Sequence, residues 1–322
     1  MAATEPQVSA SARVGFIGLG AMGYPMAGHI HRHCMSECGQ PCVVWNRTAE
    51  TAQRHAAEHG TEPAASLAGL SASCRVVVMC LSTSADVATV LDPLVNGGLA
   101  GKCLVDCTSG DPDKTQALAR TAEERGHEFV DAPVSGGPAG AAAGALAVLA
   151  GGTDGAVARA RPLLESFAKK LEHVGAVGAG HAVKSINNAL NATHLLAGAE
   201  GLLALQRFGV APARALAAIN LSSGRSLQTE ARLPQQVLTR KFGYGFKLGL
   251  MLKDLRIAQR LVAGTALPCT DTGAGGTAAH YFERTEALLA QAVADEGADV
   301  DYTRCCAVLE KAAGAELRRE ES

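Results

Sequence analysis

Lys184 and Asn188 stand four residues apart in "VGAGHAVKSINNALNAT", residues 177–193, a run otherwise made of small and apolar side chains. At helical spacing they share one stripe with Asn191, while Val183, Ile186 and Leu190 form another. By itself the pattern describes a helix with a solvated polar face. A lysine held away from water is different: its pKa falls toward the range useful for proton transfer, and an asparagine one turn along can hydrogen-bond the same substrate oxygen. Such an acid/base pair needs a substrate held beside it. In "DAPVSGGPAGAAAG", Ser135, Gly136 and Gly137 offer a hydroxyl and unobstructed backbone N–H groups, a cradle for a carboxylate. Taken alone, that segment reads equally as a turn.

The partner of the chemistry is written near the start. "RVGFIGLGAMGYPMA" sets Gly18, Gly20 and Gly23, with Leu19, Ala21 and Met22 between them, directly after an apolar strand and at the opening of a helical stretch. The first glycine permits the tight turn, the second lets backbone approach a pyrophosphate, and the third allows close helix–strand packing. The helix start adds N–H donors and a positive dipole. An acid at the end of the second strand would accept from the 2′-hydroxyl of NAD and repel a 2′-phosphate. "VVWNRTAE" has Asn46, Arg47 and Thr48 there instead. A guanidinium can pair bidentately with a phosphate and Asn or Thr can donate to one, so NADP is preferred over NAD.

These groups need a frame. Short β-branched runs ("RVGFIG", "CVVWN", "RVVVMCL", "KCLVDCT", "HEFVDAPV") alternate with alanine-rich helical stretches, the pattern of a parallel sheet covered on both faces. "GALAVLAGG" adds a strand, and "DGAVARARPLLESFAKKL" reads as a helix. From about residue 180 helical patterns dominate. The expected fold is α/β: an N-terminal Rossmann-type doubly wound sheet over residues 12–178, then an all-α domain over 179–312, with Lys184 just past the seam. The loops after the strands, "CLSTSAD" and "DCTSGDP" among them, should face the reacting end of a dinucleotide. Residues 1–12 read as a disordered lead-in and "ELRREES" as a frayed tail.

Bulk properties narrow the partners. The chain has 322 residues, a formal net charge of −2 and 19% charged residues, with no basic block, which excludes nucleic acid or an anionic membrane surface as the main partner. No apolar run reaches the length of a membrane span. Ten cysteines are too dilute for a disulfide scaffold and suit a reducing compartment. His31, His33, Cys34, Cys38 and Cys42 crowd together, yet their spacing matches no zinc knuckle; the segment reads as a helix end followed by a loop, and no metal is assigned.

"GFIGLGAMGYPMA", "DAPVSGGPAGAAAGALAVLAGG", "GAGHAVKSINN" and "LMLKDLRIA" occur in the order seen in the β-hydroxyacid dehydrogenase family, and the chain resembles its 3-hydroxyisobutyrate dehydrogenase branch from about residue 13 to 310. The resemblance implies that Lys184 is the general acid/base, that Asn188 and Ser135–Gly137 bind substrate, that Lys253 reaches the cofactor from the helical domain, and that Leu81, Ser82 and Ser109 contact the cofactor. Where Ser82 stands the family often has proline, and Thr108–Ser109 replaces a Ser–Thr pair. The implied reaction interconverts a short 3-hydroxy acid and its semialdehyde with NAD(P). "SSGR" points to 3-hydroxyisobutyrate dehydrogenases and sets Arg225, with Ser223, near the pocket, whereas "VWNRT" points to NADPH-dependent glyoxylate/succinic semialdehyde reductases. A catalytically silent nucleotide-binding module would lack the lysine. The substrate is a small carboxylate and the assembly a homodimer or homotetramer; the location is cytoplasmic, since the leader does not support the mitochondrial import known in the family.

Overall fold

The computed structural model describes residues 13–265 and 281–319, so the lead-in expected over residues 1–12 lies outside the described residues. The chain divides into two units, one ending at Lys184 and one starting at Ser185. The first holds strands β1 (Arg13–Ile17), β2 (Val43–Trp45), β3 (Glu62–Pro63), β4 (Cys74–Met79), β5 (Cys103–Asp106), β6 (Glu128–Asp131), β7 (Val134–Ser135), β8 (Leu146–Gly151) and β9 (Ala168–Gly175). Its helices are α1 (Gly23–Cys38), α2 (Ala49–His59), α3 (Leu67–Ser73), α4 (Ser84–Val95), α5 (Pro112–Glu123), α6 (Gly137–Ala142) and α7 (Asp154–Glu165). Helix α8 (Ala179–Arg207) carries the break between the units. The second unit adds α9 (Pro212–Asn220), a π-helical segment (Gln228–Val237), α10 (Leu248–Ala263), α11 (Tyr281–Glu296), a 3₁₀ turn (Tyr302–Cys305) and α12 (Cys306–Ala313).

Among the described residues the sheet runs β3-β2-β1-β4-β5-β6-β8-β7, with β9 paired to β8. Strands β1 to β6 pair in parallel, as the strand–helix alternation requires. Pairing of β8 with β6 and β7 is antiparallel, a departure from a wholly parallel sheet. Side-chain alternation divides each central strand between two cores: Phe16, Val76, Val78 and Val105 enter one, Ile17, Val77, Met79 and Leu104 the other. Both faces are therefore covered, which is why these strands read as unbroken apolar runs.

Helix starts follow local chemistry. Ser66, Thr83, Asp111 and Thr153 each accept a backbone N–H from the first turn of α3, α4, α5 and α7. The helix expected through "SFAKKL" stops at Glu165; Phe167 turns into the core and Ala168–Gly175 forms a strand, mostly exposed and bearing Lys169 and Lys170, charges that protect a sheet edge. A separate core fills the helical unit, built on Leu195, Leu202, Leu233, Met251, Leu255 and Tyr302. Of the tail expected to fray, the described residues 316–319 are anchored instead: Leu317 is fully buried and the Arg319 N–H donates to the Leu238 carbonyl at 3.0 Å.

Candidate active site

Register places the functional loops along one edge of the first unit's sheet. Ile17 pairs with Trp45 and Met79, Met79 with Asp106, and Asp106 with Asp131, so the carboxyl ends of β2, β1, β4, β5 and β6 lie level. Strand order reverses between β1 and β4, the switch point outside which open α/β sheets bind ligands.

The glycine loop has the geometry a dinucleotide demands. Gly18 has φ +96°, and a Cβ there would meet the Cys80 carbonyl oxygen at 2.3 Å. Above Gly20 nothing lies within 4 Å, which leaves its backbone open to an approaching phosphate. A Cβ on Gly23 would meet the Gly18 carbonyl oxygen at 1.9 Å, so the start of α1 packs directly on the turn. Leu19 is buried, Ala21 is exposed and Met22 is half-buried. Helix α1 has no side-chain cap from Met22 and no acid in its first turn, so an anion at its start would meet no competing side chain. These residues fit the diphosphate of a dinucleotide.

Asn46 lies beside the glycine loop and is bonded to its backbone. Its Oδ1 accepts the Leu19 N–H at 3.0 Å and its Nδ2 donates to the Thr48 carbonyl at 3.1 Å, so the side chain ties the glycine loop to the β2–α2 turn. Arg47 and Thr48 are exposed beside it. After β4, the Leu81 N–H donates to Thr108 Oγ1 at 3.0 Å, joining two strand-end loops; Leu81 and Ser109 are half-buried and Ser82 is exposed. Ser135 closes β7, and Gly136 and Gly137 follow with φ +139° and +68°, a backbone that β-carbons resist.

Helix α8 inverts the usual reading of amphipathicity. Lys184 and Asn188 are buried at 8% and 4% exposure, whereas Val183 and Leu190 are exposed at 42% and 43%. The polar stripe is the sheltered one. In the helical unit Asn188 Nδ2 donates to Asp254 Oδ2 at 2.7 Å, while Asn188 Oδ1 accepts from Asn187. Lys253 Nζ lies 3.2 Å from Asp254 Oδ1, so one buried carboxylate orients both residues. Asp254 was overlooked although "KDL" contains it; an acid inside an apolar helical run was the available signal. Asn191 Oδ1 accepts from Gln228 Nε2 at 2.6 Å and from the Tyr302 hydroxyl at 3.2 Å, fixing the same helix further along. Arg225 and Ser223 lie on an exposed loop of the helical unit.

A buried group underlies the start of α8 in the first unit. Asp131, fully buried, accepts the Gly178 and His181 N–H groups at 2.7 and 2.8 Å. His181 Nδ1 is 2.7 Å from Thr115 Oγ1. Burial pushes the Asp106 carboxyl above the usual range, against the opposing pull of His181 and of the Thr108 hydrogen bonds. Among the described residues no three His, Cys, Asp or Glu side chains gather as metal ligands. Helix α1 runs through His31, His33 and Cys34 to Cys38, with a loop from Gly39.

Residues 13–175 match the family described as the NAD binding domain of 6-phosphogluconate dehydrogenase, and residues 178–309 that described as NAD-binding of NADP-dependent 3-hydroxyisobutyrate dehydrogenase. Over 251 residues the chain is 34% identical to 2-(hydroxymethyl)glutarate dehydrogenase of Eubacterium barkeri, covering 77% of this chain and 81% of that one. It is 32% identical over 265 residues to the mitochondrial 3-hydroxyisobutyrate dehydrogenase of Mus musculus, covering 79% and 77%. Among solved structures, the Mycobacterium tuberculosis 3-hydroxyisobutyrate dehydrogenase with L-serine matches at a TM-score of 0.81 and 28% identity, covering 92% of this chain and 99% of that one. Glycine loop, sheet order and matches together define an NAD(P)-dependent oxidoreductase of hydroxy acids. The chain belongs to the β-hydroxyacid dehydrogenase family.

Proposed function

We propose that the protein interconverts a short 3-hydroxy acid and its semialdehyde, in the manner of 3-hydroxyisobutyrate dehydrogenase, with Lys184 as general acid/base and NADP preferred over NAD. The observation that carries this is the burial of Lys184 and Asn188 on a helix that leaves Val183 and Leu190 to solvent. Burial of an amine and an amide in place of available apolar side chains costs stability, and a proton-transfer role accounts for it.

When bound, the nicotinamide supplies the hydride acceptor or donor. Lys184, neutral, takes the hydroxyl proton as the substrate is oxidised; as ammonium it returns a proton to the alkoxide oxygen in reduction. Asn188 has one Nδ2 hydrogen engaged by Asp254, which leaves the second to hold that same oxygen. Ser135, Gly136 and Gly137 bind the carboxylate and so set which carbon is presented. The substrates named for the two sequence relatives, and the L-serine in the matching structure, all carry a hydroxymethyl group one carbon from a carboxylate, which supports this division of labour. We assign Leu81, Ser82, Ser109 and Lys253 to the cofactor on the strength of the family resemblance, and Arg47 to a 2′-phosphate.

The exposed Arg47, with no acid at the end of β2, also supports a second reading, an NADPH-dependent glyoxylate or succinic semialdehyde reductase. Phe208 and Leu221, 86% and 91% exposed, support a homodimer or homotetramer, which light scattering on the purified protein would test. Among the described residues no helix is long and apolar enough to cross a membrane. The deciding experiment is initial rates in both directions with NADP(H) and NAD(H). The panel is 3-hydroxyisobutyrate, 3-hydroxypropionate, serine, glycerate, glyoxylate and succinic semialdehyde. Oxidation of one 3-hydroxy acid that vanishes in Lys184→Ala supports the first reading. Fast NADPH-dependent reduction of glyoxylate or succinic semialdehyde, without hydroxy-acid oxidation, supports the second.

A further inference from the structure

The start of α8 is held by a carboxylate that belongs to another element. An α-helix leaves its first N–H groups without intrahelical acceptors, and a capping box satisfies two of them with side chains from the helix's own first turn. Here the N–H of Gly178, immediately before the helix, and that of His181, in its first turn, both donate to Asp131 at the end of β6, at 2.7 and 2.8 Å. The site is built around this bond. A Cβ on Gly151 would meet Asp131 Oδ1 at 2.5 Å, and one on Gly180 would meet Asp131 Oδ2 at 2.9 Å and the Leu149 carbonyl oxygen at 2.3 Å. His181 itself is fully buried, with Nδ1 bound to Thr115 Oγ1 on α5 and its ring against Gly110, where a Cβ would meet the imidazole at 2.7 Å.

Lys184 follows His181 by three residues, so it rises from the next turn on the same side of the helix. Strand β6 thus fixes the rotation and height of the turn that carries the lysine, and α5 and the β5–α5 loop brace it through His181. From this we propose that Asp131 is a positioning residue for Lys184: a capping carboxylate supplied from the sheet, whose task is to hold the proton-transferring amine in place, with His181 and Thr115 as its brace. This rests on the role assigned to Lys184 above.

The test compares Asp131→Asn, which is isosteric but turns one acceptor into a donor facing an N–H, with Thr153→Ala, which removes an ordinary local cap from α7. Two readouts separate positioning from general stability. Hydrogen exchange of peptides spanning residues 176–186 needs no substrate; Asp131→Asn should exchange there about tenfold faster or more, and Thr153→Ala should leave that segment unchanged. In turnover, Asp131→Asn should lower kcat by about 10–100-fold while the Kd for NADPH, read by fluorescence, stays within about twofold. Thr115→Val, a milder change that removes the His181 partner, should shift both readouts in the same direction by less, and serves if Asp131→Asn does not fold. Unchanged exchange at residues 176–186, or a kcat loss matched by Thr153→Ala, overturns the proposal. A wild-type protein that turns over no member of the panel refutes the assigned activity, while the exchange arm still decides the cap.

Discussion

Two helices start within the first unit, at the carboxyl edge of the same sheet, and they start in opposite ways. Helix α1 opens bare: no side chain caps it, its first turn holds no acid, and the glycines before it leave the backbone open. Helix α8 opens with both ends of a buried carboxylate already on its N–H groups. The same physical feature, a helix start with a positive dipole, is left without a side-chain acceptor in one case and is anchored by a carboxylate in the other. What separates them is whether the protein supplies the anion. Where it does, the helix start is held from the sheet, and in the proposed reaction the turn that follows carries Lys184.

The largest effect expected from breaking this comparison is at the lysine. Lys184→Ala should lower kcat by about a thousandfold, within the range for loss of a general acid or base, with the Kd for NADPH little changed because the bare start of α1 is untouched. Single-turnover rates with a hydroxy acid that supports wild-type turnover would check it.

The next effects separate two glycines. Gly18→Ala places a Cβ against the Cys80 carbonyl at a φ of +96°, so it should cost about 1–3 kcal/mol from the backbone alone and lower Tm, taking cofactor binding with it. Gly20→Ala meets nothing within 4 Å and should leave Tm unchanged. Because its methyl occupies the approach of the pyrophosphate, it should still weaken NADPH binding by about tenfold or more. Calorimetry with cofactor titration distinguishes the two; equal Tm losses would show that the start of α1 is not built as an open anion site.

A smaller change tests what lies beyond the glycines. Arg47→Ala should weaken NADPH by about tenfold, the worth of one charge-assisted contact at a solvated site, and leave NADH nearly unaffected. Equal effects on both cofactors would remove Arg47 from the 2′-phosphate.

These differences track what the sequence made legible. The glycine loop and the strand ends could be read because their meaning is local: a strand, a turn and a helix within eleven residues of Arg13 to Gly23. Asp131 could not, since its partners lie 47 and 50 residues away in the chain. Asp254 was hidden the same way, 66 residues from Asn188. The facing of α8 could not be read from its periodicity alone. Periodicity says which residues share a stripe but not which stripe is sheltered, and an apolar stripe is normally assigned to the core, whereas here Val183 and Leu190 are the exposed ones. Asn46 carries a structural tie that its type alone did not announce: its amide links the backbone of Leu19 and Thr48, and one Nδ2 hydrogen remains for a ligand.

The bare start of α1 has its own buried support, and it predicts a pH dependence. His55 on α2 is fully buried; its Nε2–H donates to the carbonyl of Tyr24 in the first turn of α1 at 2.9 Å, which leaves Nδ1 to accept from Thr61 Oγ1 at 2.8 Å. That pairing fixes the neutral imidazole, and burial pushes its pKa from 6.5 down to about 4. Between those values the unfolded chain binds a proton that the folded chain refuses, so stability is full above pH 6.5 and is lost as the pH falls toward about 4. The slope from this one proton is at most about 1.4 kcal/mol per pH unit. Burial lowers His31 and His127 as well, which adds to the same trend. His55→Gln, which keeps a donor for the Tyr24 carbonyl but does not titrate, should flatten the fall of Tm between pH 6.5 and 4. An unaltered slope would mean that the brace under α1 is not the proton-sensitive part of the fold, and that the two helix starts differ in their anions but not in their supports.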